Sequence, residues 1–215
     1  MAPARTVLVT GFEPFGGDRV NASELAVRPL DGRVIAGHRV VVRILPCVFG
    51  DAAEALRGAL RTLRPRLVIA CGEAGGRPGI TVERVAINVD DARIADNAGG
   101  RPIDRPIARR GPVGYWSRLP IKSIARALEE QGIPAAVSQT AGTFVCNHVF
   151  YELMRALARR PGVRGGFVHV PRCELQEDGR TPTMATATTT RALEIAIATA
   201  LATRRDAKVT GGATH

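Results

Sequence analysis

The sequence predicts a single-domain α/β protein in which a mainly parallel central sheet is covered by helices on both faces. Short apolar runs alternate with helical patterns from end to end, the signature of strands joined by crossover helices. A length of 215 residues with 45% hydrophobic content supplies one proper core. No shift in composition marks a boundary, so one domain is expected over residues 1–205, with 206–215 as a flexible polar tail.

The elements follow from local pattern. Runs rich in Val and Ile predict strands at Thr6 to Thr10, Arg39 to Leu45, Arg66 to Cys71, Ala135 to Gln139 and Gly166 to Val170. Apolar residues at helical spacing predict helices over Asp51 to Leu63, Ile121 to Gln131 after Pro120, Cys146 to Arg159, and Thr183 to about Thr203. Between Glu73 and Gly114 the rhythm breaks: glycine pairs and prolines surround one strand-like segment, Ile80 to Val89. Insertions at the carboxyl ends of parallel strands are where open α/β sheets build sites, so this excursion is expected to touch substrate.

Composition removes several classes. No apolar run approaches the roughly 20 residues that cross a bilayer, and the start lacks a basic segment leading into a long apolar one, so neither membrane nor export is expected. The net charge of +10 invites a nucleic-acid reading. The cations, nearly all Arg with Lys only at 122 and 208, are scattered in sequence, and aromatics at 4% leave few stacking platforms, so no nucleic-acid partner is expected. Cys47, Cys71, Cys146 and Cys173 lie far apart with no CxxC pair. That spacing suits neither a disulfide framework nor a metal site and fits a reducing cytoplasm.

In such a compartment a single thiol can serve as a nucleophile. Cys146 is the best placed, because it opens a helix whose apolar positions Val149, Phe150, Leu153, Met154 and Leu157 are helically spaced. The positive end of that helix favours thiolate, and its orphan N–H groups could hold an oxyanion. An inert buried thiol is the common alternative for any lone Cys. Four histidines are available as a base. His215 is in the tail, His38 opens a strand, and His148, two residues from Cys146 on one helix, faces away from it. His169 ends the strand GGFVHVP, where a parallel sheet presents working groups, although a satisfied core histidine would look the same. In TVERVAINV, alternation turns Glu83 inward with Val85 and Ile87. A buried carboxylate needs a partner, which is either a histidine N–H or an arginine such as Arg84 or Arg93. Cys, His and Glu make the nucleophile, base and orienter of a triad.

The loop GFEPFGG matches no phosphate-binding pattern. It carries Phe12 and Phe15, two of six Phe in the chain, which either line a flat apolar pocket or pack the loop on the core.

Four ordered blocks, VLVTGFEPFGG, GEAGGRPGITVERVAINVDDARIADNAG, SQTAGTFVCNHVFYELM and GFVHVP, give the chain a resemblance to the pyroglutamyl peptidase I, or pyrrolidone-carboxylate peptidase, family of cytosolic cysteine peptidases. The resemblance implies a three-layer α/β/α open sandwich related to nucleoside phosphorylase-like folds, and removal of an N-terminal pyroglutamyl residue from peptides without cofactor or metal. It implies Cys146 as nucleophile, His169 as base and Glu83 as orienter, with Arg93 and Asp96 supporting. It also implies a pocket at Phe12, Phe15, Ile94, Phe144 and Val145, with Glu73 beside it, and a homo-oligomer. Two positions depart from the family pattern: Glu73 stands where Gln is common, and Ala22 where Pro is usual. The segment RCELQ after His169-Val170-Pro171 is also atypical. A phosphorylase-type enzyme on a similar fold and a non-catalytic basic binding module are the competing readings.

Overall fold

The computed structural model describes residues 6–211, so His215 and the end of the predicted tail lie outside the described residues. The main sheet is built from β1 (Thr6–Phe12), β2 (Val34–Ile35), β3 (His38–Leu45), β4 (Leu67–Glu73), β5 (Ile80–Glu83), β8 (Ala135–Ser138) and β9 (Arg164–Val170). Their spatial order is β2-β3-β1-β4-β9-β5-β8. Strands β3, β1, β4 and β9 run parallel, β2 is antiparallel to β3, and β5 is antiparallel to β9 but parallel to β8. The sheet is therefore mainly parallel, as the alternating pattern predicts.

Alternation along each strand splits the core in two. Val7, Val9, Ile69, Val82, Val168 and Val170 face α1 (Ala22–Val27), α3 (Ile121–Glu129) and α5 (Thr186–Ala202). Leu8, Phe12, Val68, Ala70 and Phe167 face α2 (Asp51–Leu63) and α4 (Val145–Ala158). Each fully buried Leu, Val or Phe contributes about 1.5–3 kcal/mol to this three-layer packing. Helix α4 is buried nearly all round, and its polar residues inside the protein, Asn147, His148 and Glu152, are all hydrogen-bonded. Among the described residues no helix is long and apolar enough to cross a membrane.

Two sequence expectations are corrected here, and one element was not foreseen. The segment Ile80 to Val89 is not one strand: it breaks at Arg84, and β6 (Val85–Ile87) pairs instead with β7 (Gly114–Trp116) in a separate antiparallel ribbon. The reason is partner supply, because β8 ends at Ser138, whose carbonyl takes the Arg84 N–H as the last bond on that side. Beyond it the Asn147 amide takes over the free edge of β6, bonding Ile87 N, Ile87 O and Val89 O. The last helix starts at Thr186 and not Thr183, because β11 (Thr183–Met184) pairs with β10 (Arg172–Cys173). Helix α1 has no counterpart in the sequence reading, although Asn21 accepting the Ser23 N–H is an ordinary N-cap.

Helix α3 follows Pro120, which offers no capping side chain. Its first N–H groups are satisfied from far away: Asp206 accepts from Lys122 N at 3.1 Å and from Ser123 N and Oγ at 2.9 Å. The described part of the segment expected to fray thus holds the start of α3, and Arg84 reaches the Gly211 carbonyl.

Candidate active site

The carboxyl ends of β1, β3, β4 and β9 converge on the start of α4. Gly142, at φ +74°, turns the chain into this helix, with Phe144 as N-cap and Cys146 as its second residue. The first intrahelical bond runs from His148 N to Phe144 O, so the N–H groups of Val145, Cys146 and Asn147 precede the helical ladder.

Cys146 Sγ rests against Gly72 of β4: a Cβ built there would lie 2.6 Å from the sulfur and 2.9 Å from Phe167 Cζ. Gly72 is the in-register neighbour of His169 on β9. The His169 ring lies beside Phe167, with centroids 4.8 Å apart, and its Nδ1 bonds Glu83 Oε1 at 2.8 Å. Both residues are almost inaccessible, at 3% and 0%. Glu83 faces this side of the sheet with Thr81, while Ile80 and Val82 point to the other core. Since a carboxylate only accepts, Nδ1 carries the proton and Nε2 is left for proton exchange. The three sequence candidates, separated by 86 residues in the case of Glu83 and His169, thus meet at one end of the sheet.

The arginine beside Glu83 is neither Arg84 nor Arg93 but Arg77, whose Nη1 donates to the same Oε1 at 2.6 Å. Burial by itself would raise the Glu83 carboxyl, but the His169 bond and charge, followed by Ser138 and Arg77, hold it below the usual range. Cys146 behaves differently from expectation. Burial pushes its thiol well above the ordinary range, Cys47, Glu83 and Glu73 push the same way, and Arg77 opposes them. This burial disfavours the thiolate, so a nearby acceptor for the proton would assist its formation.

Aromatic rings gather in the same core layer as Cys146. Phe15 and Phe144 have centroids 6.0 Å apart, and Phe49 meets Phe144 edge-on at 5.3 Å. Phe12 lies deeper, 6.5 Å from Phe167 and 2% exposed. The Ile94 side chain approaches Gly16 of the Phe15 loop. Val145 is wholly buried in the core, so its side chain is not part of an open pocket wall. Phe49 was missed in the sequence, although it follows β3 at the same sheet end as Phe15.

Asp96 and Arg93 separate. Arg93 is exposed. Asp96 is buried and organises its loop, accepting Ala98 N at 3.0 Å, Gly100 N at 2.6 Å and, across the cleft, Phe49 N at 2.9 Å. His148 also serves the Phe49 loop: its Nδ1 bonds Asp90 Oδ2 at 2.9 Å and its Nε2 accepts from Gly50 N at 3.4 Å. Glu73 points away from Cys146, to the α1 face, where its oxygens accept from Ala22 N at 2.8 Å and Gln176 Nε2 at 3.1 Å.

The chain is similar to known proteins over nearly its whole length. Residues 5–203 match the family model described as pyroglutamyl peptidase. The chain is similar to a pyrrolidone-carboxylate peptidase of Klebsiella pneumoniae (strain 342), with 58% identity over 211 residues covering 97% of this chain and 99% of that one. A pyrrolidone-carboxylate peptidase of Cupriavidus taiwanensis is 55% identical over 215 residues, covering 98% and 99%. Among solved structures, pyroglutamyl peptidase I of Bacillus amyloliquefaciens superposes with a TM-score of 0.92 at 46% identity, covering 94% of this chain and 100% of that one. A mutant pyrrolidone carboxyl peptidase from the hyperthermophile Pyrococcus furiosus gives 0.88 at 41%, covering 91% and 98%.

Proposed function

The chain belongs to the pyroglutamyl peptidase family, cysteine peptidases that remove N-terminal pyroglutamate, and from that premise we propose that Cys146 is its nucleophile, His169 its general base and Glu83 the orienter. The observation that carries this is the Glu83–His169 hydrogen bond on the strand next to Gly72, against which the Cys146 sulfur rests.

In the proposed sequence, His169 Nε2 takes the Sγ proton and the thiolate attacks the carbonyl carbon that follows the lactam ring. The N–H groups at the start of α4 hold the oxyanion. The imidazolium then protonates the departing amine, the shortened peptide leaves, and water activated by His169 hydrolyses the thioester to release pyroglutamic acid. Pyroglutamate is a neutral lactam without a free amine, so walls such as Phe15, Phe49, Phe144 and Ile94 suit it, while charged N-termini are rejected by their desolvation cost. Asp96 supports the site through Phe49, and Phe12 through the floor beneath it. The Glu73 side chain is held by Ala22 and Gln176 on the other face of the sheet. Arg93, exposed on the excursion loop, has no contact here that explains a role.

The phosphorylase-type reading has no support among these comparisons. Four free cysteines support a cytoplasmic setting, in which the nucleophile stays reduced. A homo-oligomer is consistent with the exposed Val113 and Trp116, and sedimentation would measure it. The test of the reaction is hydrolysis of a pyroglutamyl reporter beside a prolyl one, with and without iodoacetamide. Turnover confined to the first and abolished by alkylation or by Cys146→Ala is expected, and undiminished turnover by that variant would remove the nucleophile.

A further inference from the structure

Glu83 is held by more than His169. Arg77 lies in the glycine-rich loop between β4 and β5, and its Nη1 donates to Glu83 Oε1 and to Thr81 Oγ1. Its Nη2 donates to the Thr140 carbonyl at 2.9 Å. Thr140 belongs to the segment joining β8 to α4, the segment that delivers Phe144 and Cys146. One planar side chain therefore grips the carboxylate on one strand and the loop that carries the sulfur.

We propose that Arg77 is a positioning residue of this site, a fourth member that keeps Glu83 Oε1 aimed at His169 Nδ1, ties that pair to the Cys146 loop, and offsets the charge of Glu83 when the thiolate forms. The proposal rests on the assignment of Cys146, His169 and Glu83 above. Charge arithmetic supports it. The groups whose charge acts on Cys146 are Glu83 from β5, Glu73 from the end of β4, Cys47 from the loop after β3, and Arg77, with His169 on β9 in register with Gly72, against which the sulfur rests. The two carboxylates oppose a thiolate, and Arg77 is the cation that favours one. When the proton passes from Sγ to His169 Nε2, a thiolate appears near Glu83, and Arg77 is the cation that offsets that carboxylate. Without Arg77 the new thiolate would face the Glu83 charge with no guanidinium to counter it. The geometry also requires this residue type, since a guanidinium can hold Glu83 and Thr140 from two nitrogens, whereas an ammonium has one.

The experiment compares wild type, Arg77→Met and Arg77→Lys, with Cys146→Ala as the blank for the other thiols. Iodoacetamide alkylation against pH reads the thiolate directly, reporter hydrolysis gives kcat and KM, and thermal melting checks the fold. In Arg77→Met the alkylation midpoint is expected to rise by about one pH unit. Its kcat should fall on the order of 10²-fold with KM within about threefold. Arg77→Lys should restore the midpoint but only part of kcat, because the charge returns without the second contact. A folded Arg77→Met with the wild-type midpoint would overturn the role, since a merely structural strap would lower melting temperature and leave the profile in place. Should Arg77→Met fail to fold, Arg77→Lys decides: full kcat would overturn the proposal, and a partial kcat at the wild-type midpoint would sustain it. If alkylating Cys146 leaves wild-type turnover intact, the triad assignment itself fails. If alkylation abolishes turnover but Arg77→Met follows the wild-type curve, only the role of Arg77 falls.

Discussion

The N–H of Ala22 donates to Glu73 Oε2 at 2.8 Å, joining two residues 51 apart in the chain. The hydrogen bond couples the two positions. A proline at 22 would have no N–H to give, and a carboxylate, unlike an amide, accepts at both oxygens, here from Ala22 and Gln176. Glu73→Gln alone is expected to lose about 1 kcal/mol of stability, because its NH2 would face a donor, while kcat/KM stays within about twofold. Ala22→Pro alone strands Oε2, and the double variant should recover part of the loss. Urea unfolding of the four proteins gives the coupling energy. A large rise in KM for Glu73→Gln would mean that the carboxyl reaches the lactam after all.

Acid stability should depend on Glu83 and Glu73 with opposite signs. The Glu83 carboxyl lies below its usual range, so the native state binds its proton less tightly than the unfolded chain. Its contribution is complete above the unfolded value of about 4.3 and is lost as pH falls through the folded one. Burial raises Glu73, with Asp18 adding and the Ala22, Gln176 and Arg172 contacts opposing. Its native state holds the proton more tightly, so stability declines as pH rises from the unfolded value through the folded one. Glu83→Gln is expected to flatten the acid limb of a urea-midpoint series from about pH 3 to 7, and Glu73→Gln to remove a decline above about pH 4.3. An acid limb unchanged in Glu83→Gln would assign it to other carboxyls.

Gly72 leaves room for the sulfur, and a methyl there would lie 2.6 Å from Sγ and 2.9 Å from the Phe167 ring. Gly72→Ala must displace one of them. The expected result is a stability loss of about 1–3 kcal/mol together with a fall in kcat/KM on the order of 10²-fold. Near-normal turnover in this variant would mean that Sγ works from another rotamer.

Phe49 and Asp96 should behave alike. Phe49→Ala removes the edge contact to Phe144, and Asp96→Ala releases the Phe49 N–H that holds the ring in place. Both are expected to raise KM about tenfold with a smaller effect on kcat, as for lost apolar binding. If Asp96→Ala lowered kcat alone, with KM intact, the carboxyl would be acting in the chemistry and not through the loop.

Strand and helix positions in the central layers were readable because each carries a strong apolar pattern: β1, β4 and β9 as short continuous runs buried on both faces, α2 and α3 at helical spacing. Cys146 and His169 were readable because each sits where an element changes, at a helix start or a strand end. Glu83 was reached by alternation through a strand that in fact ends there, so its inward direction matches Thr81 and not Val85. Arg77, Phe49 and Asp206 carried no local signal. Their roles depend on partners 6, 95 and 84 residues away, at Glu83, Phe144 and Lys122, which only the closed sheet brings together. The same is true of the Glu73 side chain, whose direction is set by the sheet face it occupies.

Helix α3 borrows its cap from Asp206, 84 residues downstream of Lys122, and it packs beside β5, the strand that ends in Glu83. During synthesis on a ribosome, α3 emerges with an open end, and the layer behind Glu83 is finished only when the Asp206 segment has followed it out.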